Sequence, residues 1–224
     1  MSVTYELYTI KDQSVTKNNI YVVVDQETRR TAVIDPGGGI KEINEMVKNL
    51  GLTLDMILIT HTHIDHVREI STLVDQYDCK VYISSKEVDY YSYQCKNLQS
   101  FEDEEMIYLG KTEIKCILTP GHTRGSSCFL FENGLFSGDT IFMEGCGMCT
   151  EKGGSASDMF HSIAKIKKNI SDAVSVYSGH TYSIQQGKSV SYLKKNNIYF
   201  LIECENQFID FRMRKNQKSL FNFG

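Results

Sequence analysis

His61-Thr62-His63-Ile64-Asp65-His66 follows directly on the apolar run Met56-Ile57-Leu58-Ile59. A continuous apolar run of this kind reads as a strand buried on both faces. Where such a strand stops and becomes a loop, alternate side chains gather at the end of the sheet. His61 and His63 then face one centre, while Asp65 and His66 face another close by. Neutral imidazoles with carboxylates are the ligand set that zinc or iron accepts. Three of the six histidines, with an aspartate, share this short stretch, which sets it apart from a polar loop with ordinary surface histidines.

Three later positions repeat one arrangement. His122 stands in Thr119-Pro120-Gly121-His122-Thr123, Asp139 in Ser137-Gly138-Asp139-Thr140, and His180 in Tyr177-Ser178-Gly179-His180-Thr181. In each, an apolar strand is followed by glycine and then by a candidate ligand. Glycine lets the backbone turn sharply and approach another group closely. Taken singly each reads as a structural turn. Together they supply a second half for the first cluster.

Outward from these positions, strand and helix signals are mixed. Tyr5 to Ile10 reads as a strand, Asn18-Asn19 as a turn before the β-branched run Ile20 to Val24, and Gln26 to Arg30 as another turn. Thr31 to Ile34 is a short buried strand ended by Asp35-Pro36-Gly37-Gly38-Gly39. Ile40, Ile43, Val47 and Leu50 recur at helical spacing, with Gly51 as the stop. Val67 to Tyr77 reads as a helix, Lys80 to Ser84 as a strand, and Ser84-Ser85 with Glu87 as a helix start before Val88 to Tyr93. Strands are expected at Met106 to Leu109, Ile114 to Thr119, Cys128 to Phe131, Leu135-Phe136 and Ala173 to Tyr177. Helices are expected around Met159, Ile163, Ile166 and Ile170, and over Ile184 to Lys195. The pattern implies α/β or α+β, with sheets covered by helices.

The 224 residues carry 24 basic and 28 acidic side chains, and the net charge of −4 argues against a nucleic-acid binder working by bulk electrostatics. No run approaches the roughly 18 apolar residues of a membrane span. The start, Met1-Ser2-Val3-Thr4-Tyr5-Glu6, has no basic region followed by an apolar one. The expectation is a cytoplasmic protein with no membrane partner. Seven cysteines spread along the chain read as reduced thiols rather than a disulfide framework. The length suits one domain over residues 1–224, with 200–224 the least readable part.

The two clusters together resemble the metallo-β-lactamase superfamily. Its signature of two histidines, an aspartate and a histidine matches His61, His63, Asp65 and His66 without gaps, and its later positions match His122, Asp139 and His180 in order. The resemblance covers residues 20–182 closely. It implies an α+β fold of four αββα layers, two mixed β-sheets packed face to face with helices outside. It also implies that His61, His63 and His122 bind one metal, that Asp65, His66 and His180 bind a second, and that Asp139 bridges them. The metals implied are two zinc ions, with iron or manganese as substitutes. Within the superfamily, Ser137 to Gly147 and Tyr177 to Tyr182 are similar to glyoxalase II, which makes Gly147 and Tyr182 candidate substrate-binding residues. Two departures stand out: Met148 and Thr150 replace the lysine and tyrosine that hold glutathione there, and Arg68-Glu69 replaces a glycine pair.

Two metals sharing a water would generate hydroxide near neutral pH and stabilise a tetrahedral oxyanion. Asp65 and Asp139, with the bridging water, are then the catalytic residues. A thioester suits this apparatus, because a thiolate leaves without a strong general acid. With the glutathione clamp missing, the expected carrier is a phosphopantetheine thiol on coenzyme A or an acyl carrier protein. The chain as a whole resembles the hydrolases that accompany trans-acyltransferase polyketide synthases of the bacillaene type, where stalled acyl groups are removed. The expectation is a dinuclear zinc thioesterase acting on an acyl carrier protein. The alternatives are a hydroxyacylglutathione hydrolase and, in a different class, a catalytically silent carrier-binding module. An exported β-lactamase, a mono-iron persulfide dioxygenase and a nuclease with an inserted domain fit less well.

Four further features stay open at this point. Asp35 either orients a ligand or is a turn aspartate before proline. Arg212, Arg214, Lys215 and Lys218 either meet an acidic partner, with Arg212 and Arg214 as substrate-binding candidates, or form a solvated face. Cys146 and Cys149 have redox-pair spacing, or simply pack beside the site. His161 reads as a surface residue.

Overall fold

The computed structural model describes residues 4–11 and 18–215. The first half of the chain runs β1 (Tyr5–Lys11), β2 (Asn19–Asp25), β3 (Arg30–Ile34), α1 (Ile40–Asn49), β4 (Thr53–Leu58), α2 (Ile64–Val67), α3 (Ile70–Tyr77), β5 (Lys80–Ser84), α4 (Ser85–Tyr91) and β6 (Leu98–Phe101). Its six strands form one sheet in the order β1-β2-β3-β4-β5-β6, antiparallel at first and parallel from β3 onward. The second half runs β7 (Met106–Leu109), β8 (Thr112–Leu118), β9 (Ser127–Leu130), β10 (Gly134–Gly138), α5 (Ala156–Asn169), β11 (Ser175–Ser178), β12 (Lys188–Ser189), α6 (Val190–Asn196), α7 (Ile198–Leu201) and α8 (Glu205–Arg212). Its six strands form a second sheet, β12-β11-β10-β9-β8-β7, with β10 and β11 parallel and the other pairs antiparallel.

Side-chain alternation along the strands dictates the layers. In β2, Ile20, Val22 and Val24 pack toward α1 and α3, while Tyr21 and Val23 face the second sheet. In β10, Leu135 packs toward α5 and α6, while Phe136 meets the first sheet. Apolar residues therefore form three slabs, one between the sheets and one under each helical layer. The result is the four-layer αββα sandwich expected above. Each fully buried Phe, Leu or Ile in these slabs contributes about 1.5–3 kcal/mol. The register of β4 carries one irregularity, opposite Thr31 and Ala32. It lets Leu54 and Met56 face opposite slabs although they are two residues apart.

Several expectations need correction. The helix expected over 67–77 is broken at Arg68-Glu69, where the Glu69 amide donates to the Pro36 carbonyl (3.0 Å) and α3 starts afresh. The helix expected from Ile184 begins only at Val190. Before it, Gly187 takes φ +85 and donates to Val176 O (2.8 Å), feeding the short strand β12. The strand Leu98–Phe101 carries no apolar alternation that would announce it in the sequence. The strand expected from Ala173 starts at Ser175. At Asn18-Asn19, expected as a turn, Asn18 instead forms an isolated antiparallel bridge with His180 and Asn19 is the first residue of β2.

Candidate metal centre

Strand direction brings the candidate residues together. β3 and β4 run parallel, so Asp35 and the His61–His66 loop leave the first sheet on one edge. In the second sheet β8, β10 and β11 all run the same way, so His122, Asp139 and His180 also leave on one edge. Packed face to face, the sheets set these edges side by side. The two asparagines that open β2 stitch the edges together. Asn18 Nδ2 donates to the Asp65 carbonyl (2.7 Å), and Asn19 Nδ2 to the Ser178 carbonyl (3.0 Å). Neither has a sequence signal distinguishing it from an ordinary turn residue.

All seven candidate ligands meet. His61 Nε2 lies 3.2 Å from His63 Nδ1, which lies 3.0 Å from His122 Nε2. A tetrahedral ion with bonds of about 2.0–2.1 Å needs donors about 3.3–3.4 Å apart, close to this spacing. Asp65 Oδ2, His66 Nε2 and His180 Nε2 form a second group, with Asp65 and His180 3.5 Å apart. Asp139 stands between the groups: its Oδ2 is 3.6 Å from His122 Nε2 and 3.4 Å from His180 Nε2. Its Oδ1 lies 3.6 Å from His66 Nε2.

The hydrogen bonds behind the cluster assign the tautomers. Asp35 accepts from the Thr60 amide (2.8 Å), the Thr60 hydroxyl (2.7 Å) and His66 Nδ1 (3.0 Å). The Thr60 hydroxyl, having donated to Asp35, accepts from His61 Nδ1 (3.1 Å). His122 Nδ1 donates to the Met148 carbonyl (2.7 Å). Nε2 of His61, His66 and His122 is thereby left as a lone pair facing the cluster. Asp35 thus orients His66 directly and His61 through Thr60, although its own φ of +50 is also that of a turn residue.

The donor set fits a cation. Nε2 of His66 and Oδ1 of Asp139 are buried with no hydrogen-bond partner among the described residues, a costly arrangement that a bound cation would satisfy. Burial makes an anion at Asp139 expensive, yet His180, His66 and His122 together hold its carboxyl well below the usual range. Burial and the neighbouring His66 and His122 push His61 far down, so it stays a neutral donor. Burial would lower His66 too, but Asp139 and Asp35 outweigh it and raise it.

Burial, with His63 adding and Asp139 opposing, pushes His122 down to about 4. Between its ordinary value near 6.5 and about 4, the unfolded chain holds a proton that folded His122 refuses. Stability therefore rises with pH in this window and is lost as pH falls. His61 acts in the same direction, and His66 in the opposite one. The melting temperature of metal-free protein is expected to drop as pH falls from about 6.5 to about 4, less steeply in His122→Gln. An identical slope in that variant would contradict the buried neutral imidazole.

Glycines give the loops room. Gly121 takes φ +140, and a Cβ there would lie 2.5 Å from the Met159 backbone. At Gly179 a Cβ would lie 2.4 Å from Asp139 Oδ1 and 2.7 Å from His66 Cε1. Gly147, expected to bind substrate, is buried; it packs against the Asp139 carbonyl and the His122 ring instead of lining the cavity.

A cavity of about 600 Å³ opens over the donors, walled by Ile64, Phe142, Cys146, Met148 and Tyr182. Tyr182 is part of this wall, its ring 5.2 Å from that of Phe142. Burial, then Asp139 and Glu144, push its phenol up. Met148 serves twice, through its carbonyl on His122 and its half-exposed side chain at the cavity mouth. Thr150 is exposed and outside the lining. Asn197, a residue without a sequence signal, donates to the Phe142 and Gly145 carbonyls (both 2.9 Å) and ties the C-terminal helices to this wall.

The expectation of an exposed basic face is corrected for Arg212. It is only 1% exposed, donating to Tyr199 Oη (3.1 Å) under the helical layer, because α8 turns that side inward. Arg214 is half-buried, stacked on Phe211 at 3.9 Å. Neither arginine lines the cavity, Lys215 is exposed, and Lys218 lies outside the described residues. Cys146 and Cys149 are buried free thiols. Burial, partly offset by Arg212, pushes Cys146 up and takes Cys149 up to about 11, which favours packing over redox exchange. His161 is largely exposed, as expected.

The chain is similar to known proteins along its whole length. Residues 14–180 match the family described as the metallo-beta-lactamase superfamily. Over its full length the chain is 41% identical to the full length of the probable polyketide biosynthesis zinc-dependent hydrolase PksB of Bacillus subtilis (strain 168). It is 43% identical, again over both full lengths, to the similarly described BaeB of Bacillus velezensis. A hydroxyacylglutathione hydrolase of Bartonella tribocorum is 34% identical over 84% of this chain and 69% of its own. The crystal structure of ETHE1 from Myxococcus xanthus superposes with a TM-score of 0.86 at 25% identity, covering 94% of this chain and 91% of that one.

Proposed function

Because the chain belongs to the metallo-β-lactamase superfamily, we propose that it is a zinc-dependent thioesterase that removes acyl groups from an acyl carrier protein in polyketide biosynthesis. The observation that carries the thiol-carrier reading is the cavity. Among the described residues its lining includes Ile64, Phe142, Met148 and Tyr182 but no lysine or arginine, and the one acid outside the donor cluster is Glu151. Glutathione brings two carboxylates that such a wall leaves unpaired, at a cost of about 1–3 kcal/mol each. An acyl chain on a pantetheine arm brings no carboxylate to the wall.

His61, His63 and His122 would hold one zinc ion and Asp65, His66 and His180 a second, with Asp139 within reach of both groups. When bound, zinc supplies a nucleophile from water at neutral pH and a Lewis acid for the thioester carbonyl. The chain's own residues do the rest. Asp65 and Asp139 accept hydrogen bonds from the attacking water and orient it. Asp35, Thr60 and the Met148 carbonyl keep His66, His61 and His122 presenting Nε2. Phe142, Met148 and Tyr182 exclude bulk water from the acyl group. The departing thiolate needs no general acid, and none of the lining residues has to provide one.

The test is initial-rate hydrolysis of an acetyl-acyl carrier protein against S-lactoylglutathione, with zinc measured on the same preparation. The expected kcat/KM favours the carrier at least about tenfold, equivalent to about 1.4 kcal/mol, with close to two zinc ions per chain. The reverse preference would make the protein a short glyoxalase II, a reading that Tyr182 and the Bartonella relative favour. Zinc binding without turnover of either substrate would leave a carrier-binding module.

A further inference from the structure

One buried carboxylate has no part in the chemistry above. Glu87 lies in the first turn of α4, fully buried, behind the histidines rather than among them. The Ser84-x-x-Glu87 spacing is that of a capping box, in which the glutamate reaches back to the amide of the capping residue. The serine does its half, accepting from the Glu87 amide (3.1 Å). The carboxylate turns elsewhere. Its Oε1 accepts from the Thr62 amide (2.9 Å) and hydroxyl (2.8 Å). Its Oε2 accepts from the Thr123 hydroxyl (2.9 Å) and the Gly125 amide (2.8 Å).

Thr62 stands between His61 and His63, and Thr123 follows His122. A single side chain therefore clamps the loop from β4 in the first sheet to the loop from β8 in the second. The fit is close, since a Cβ on Gly125 would lie 2.1 Å from the Glu87 amide nitrogen, and Ser84 Oγ donates to the Gly125 carbonyl (2.6 Å). We propose that Glu87 is the positioning residue of the three-histidine group, holding His61, His63 and His122 at the separation a cation needs. The proposal rests on the reading of these histidines as zinc ligands. Three neutral imidazoles offset none of a cation's charge, and a carboxylate just behind them adds favourable potential in a site of low dielectric. Each carboxylate oxygen receives two donors, so glutamine must turn its NH2 toward one pair of them.

The test is zinc titration of metal-free protein against a chromophoric chelator, with the cobalt(II) spectrum as a second readout of ligand geometry. Glu87→Gln is expected to weaken zinc about 10–100-fold and alter the cobalt spectrum, while circular dichroism stays unchanged. In turnover the loss should appear in kcat with KM preserved, because Glu87 does not line the cavity. Thr62→Val, which keeps the carboxylate and the Thr62 amide, should lose less. Unchanged zinc affinity in folded Glu87→Gln would overturn the proposal, and if that variant does not fold, unchanged affinity in Thr62→Val would do so. The titration uses no substrate, so a wrong thiol carrier leaves it intact. Absence of zinc binding by the unaltered chain would remove the hydrolase reading and this proposal together.

Discussion

Asp139→Ala is expected to lower kcat/KM at least about a thousandfold, about 4 kcal/mol of transition-state stabilisation, and to reduce bound zinc. Asp139 is the side chain that reaches both donor groups, through contacts of 3.4–3.6 Å with His66, His122 and His180. Alanine removes the anion from a buried cluster whose other deep members, His61, His66 and His122, are imidazoles. A cation at either group would then meet less negative charge in the cluster. Asp139→Asn separates charge from shape, since it keeps one oxygen acceptor and should fall between the parent and alanine. Zinc content and turnover measured together decide the matter. A fully active Asp139→Ala enzyme with unchanged zinc would leave the carboxylate no role at either group.

The second large effect is expected at Asp35, and it should show first in stability. Its carboxylate accepts from the Thr60 amide, the Thr60 hydroxyl and His66 Nδ1, all in the interior. Alanine leaves these donors buried and unpaired, at about 1–3 kcal/mol apiece before relaxation. It also places a Cβ-bearing residue without a local hydrogen-bonding side chain at φ +50, where aspartate and asparagine are better tolerated. Asp35→Ala is therefore expected to lose about 3–5 kcal/mol in urea unfolding of the metal-free protein, and to bind zinc about 10–100-fold more weakly. Asp35→Asn should recover part of the stability but less of the affinity, because one oxygen must become a donor. An unchanged urea midpoint in the alanine variant would mean that water replaces the carboxylate and that Asp35 is only a turn residue.

Local patterns made most of the elements legible. The helical spacing of Ile40, Ile43 and Val47, and of Met159, Ile163 and Ile166, reflects one apolar face laid on a sheet. The run Met56 to Ile59 was readable as doubly buried because both neighbouring slabs are apolar. Errors came where a tertiary contact overrode local preference. The Pro36 carbonyl captures the Glu69 amide and cuts a helix that the side-chain pattern alone would continue. Gly187 leads Lys188 and Ser189 into a strand pairing that no local periodicity announces. Arg212 stands in a stretch with Arg214, Lys215 and Lys218 that suggests a surface charge, yet it is buried over the Tyr199 ring.

The sequence by itself determined the donor types and their order. Imidazole and carboxylate chemistry depends on residue identity, and a strand followed by glycine and a ligand can be seen in one short stretch. A family resemblance implied how the donors group around Asp139; only the tertiary structure decided their separations and that Asp35 reaches two histidines at once. It also revealed the roles of Asn18, Glu87 and Asn197, which rest on hydrogen bonds to residues distant in the chain. Such bonds follow from the direction of parallel strands and the packing of one sheet on another. Those are properties of the assembled chain, and no short stretch of it carries them.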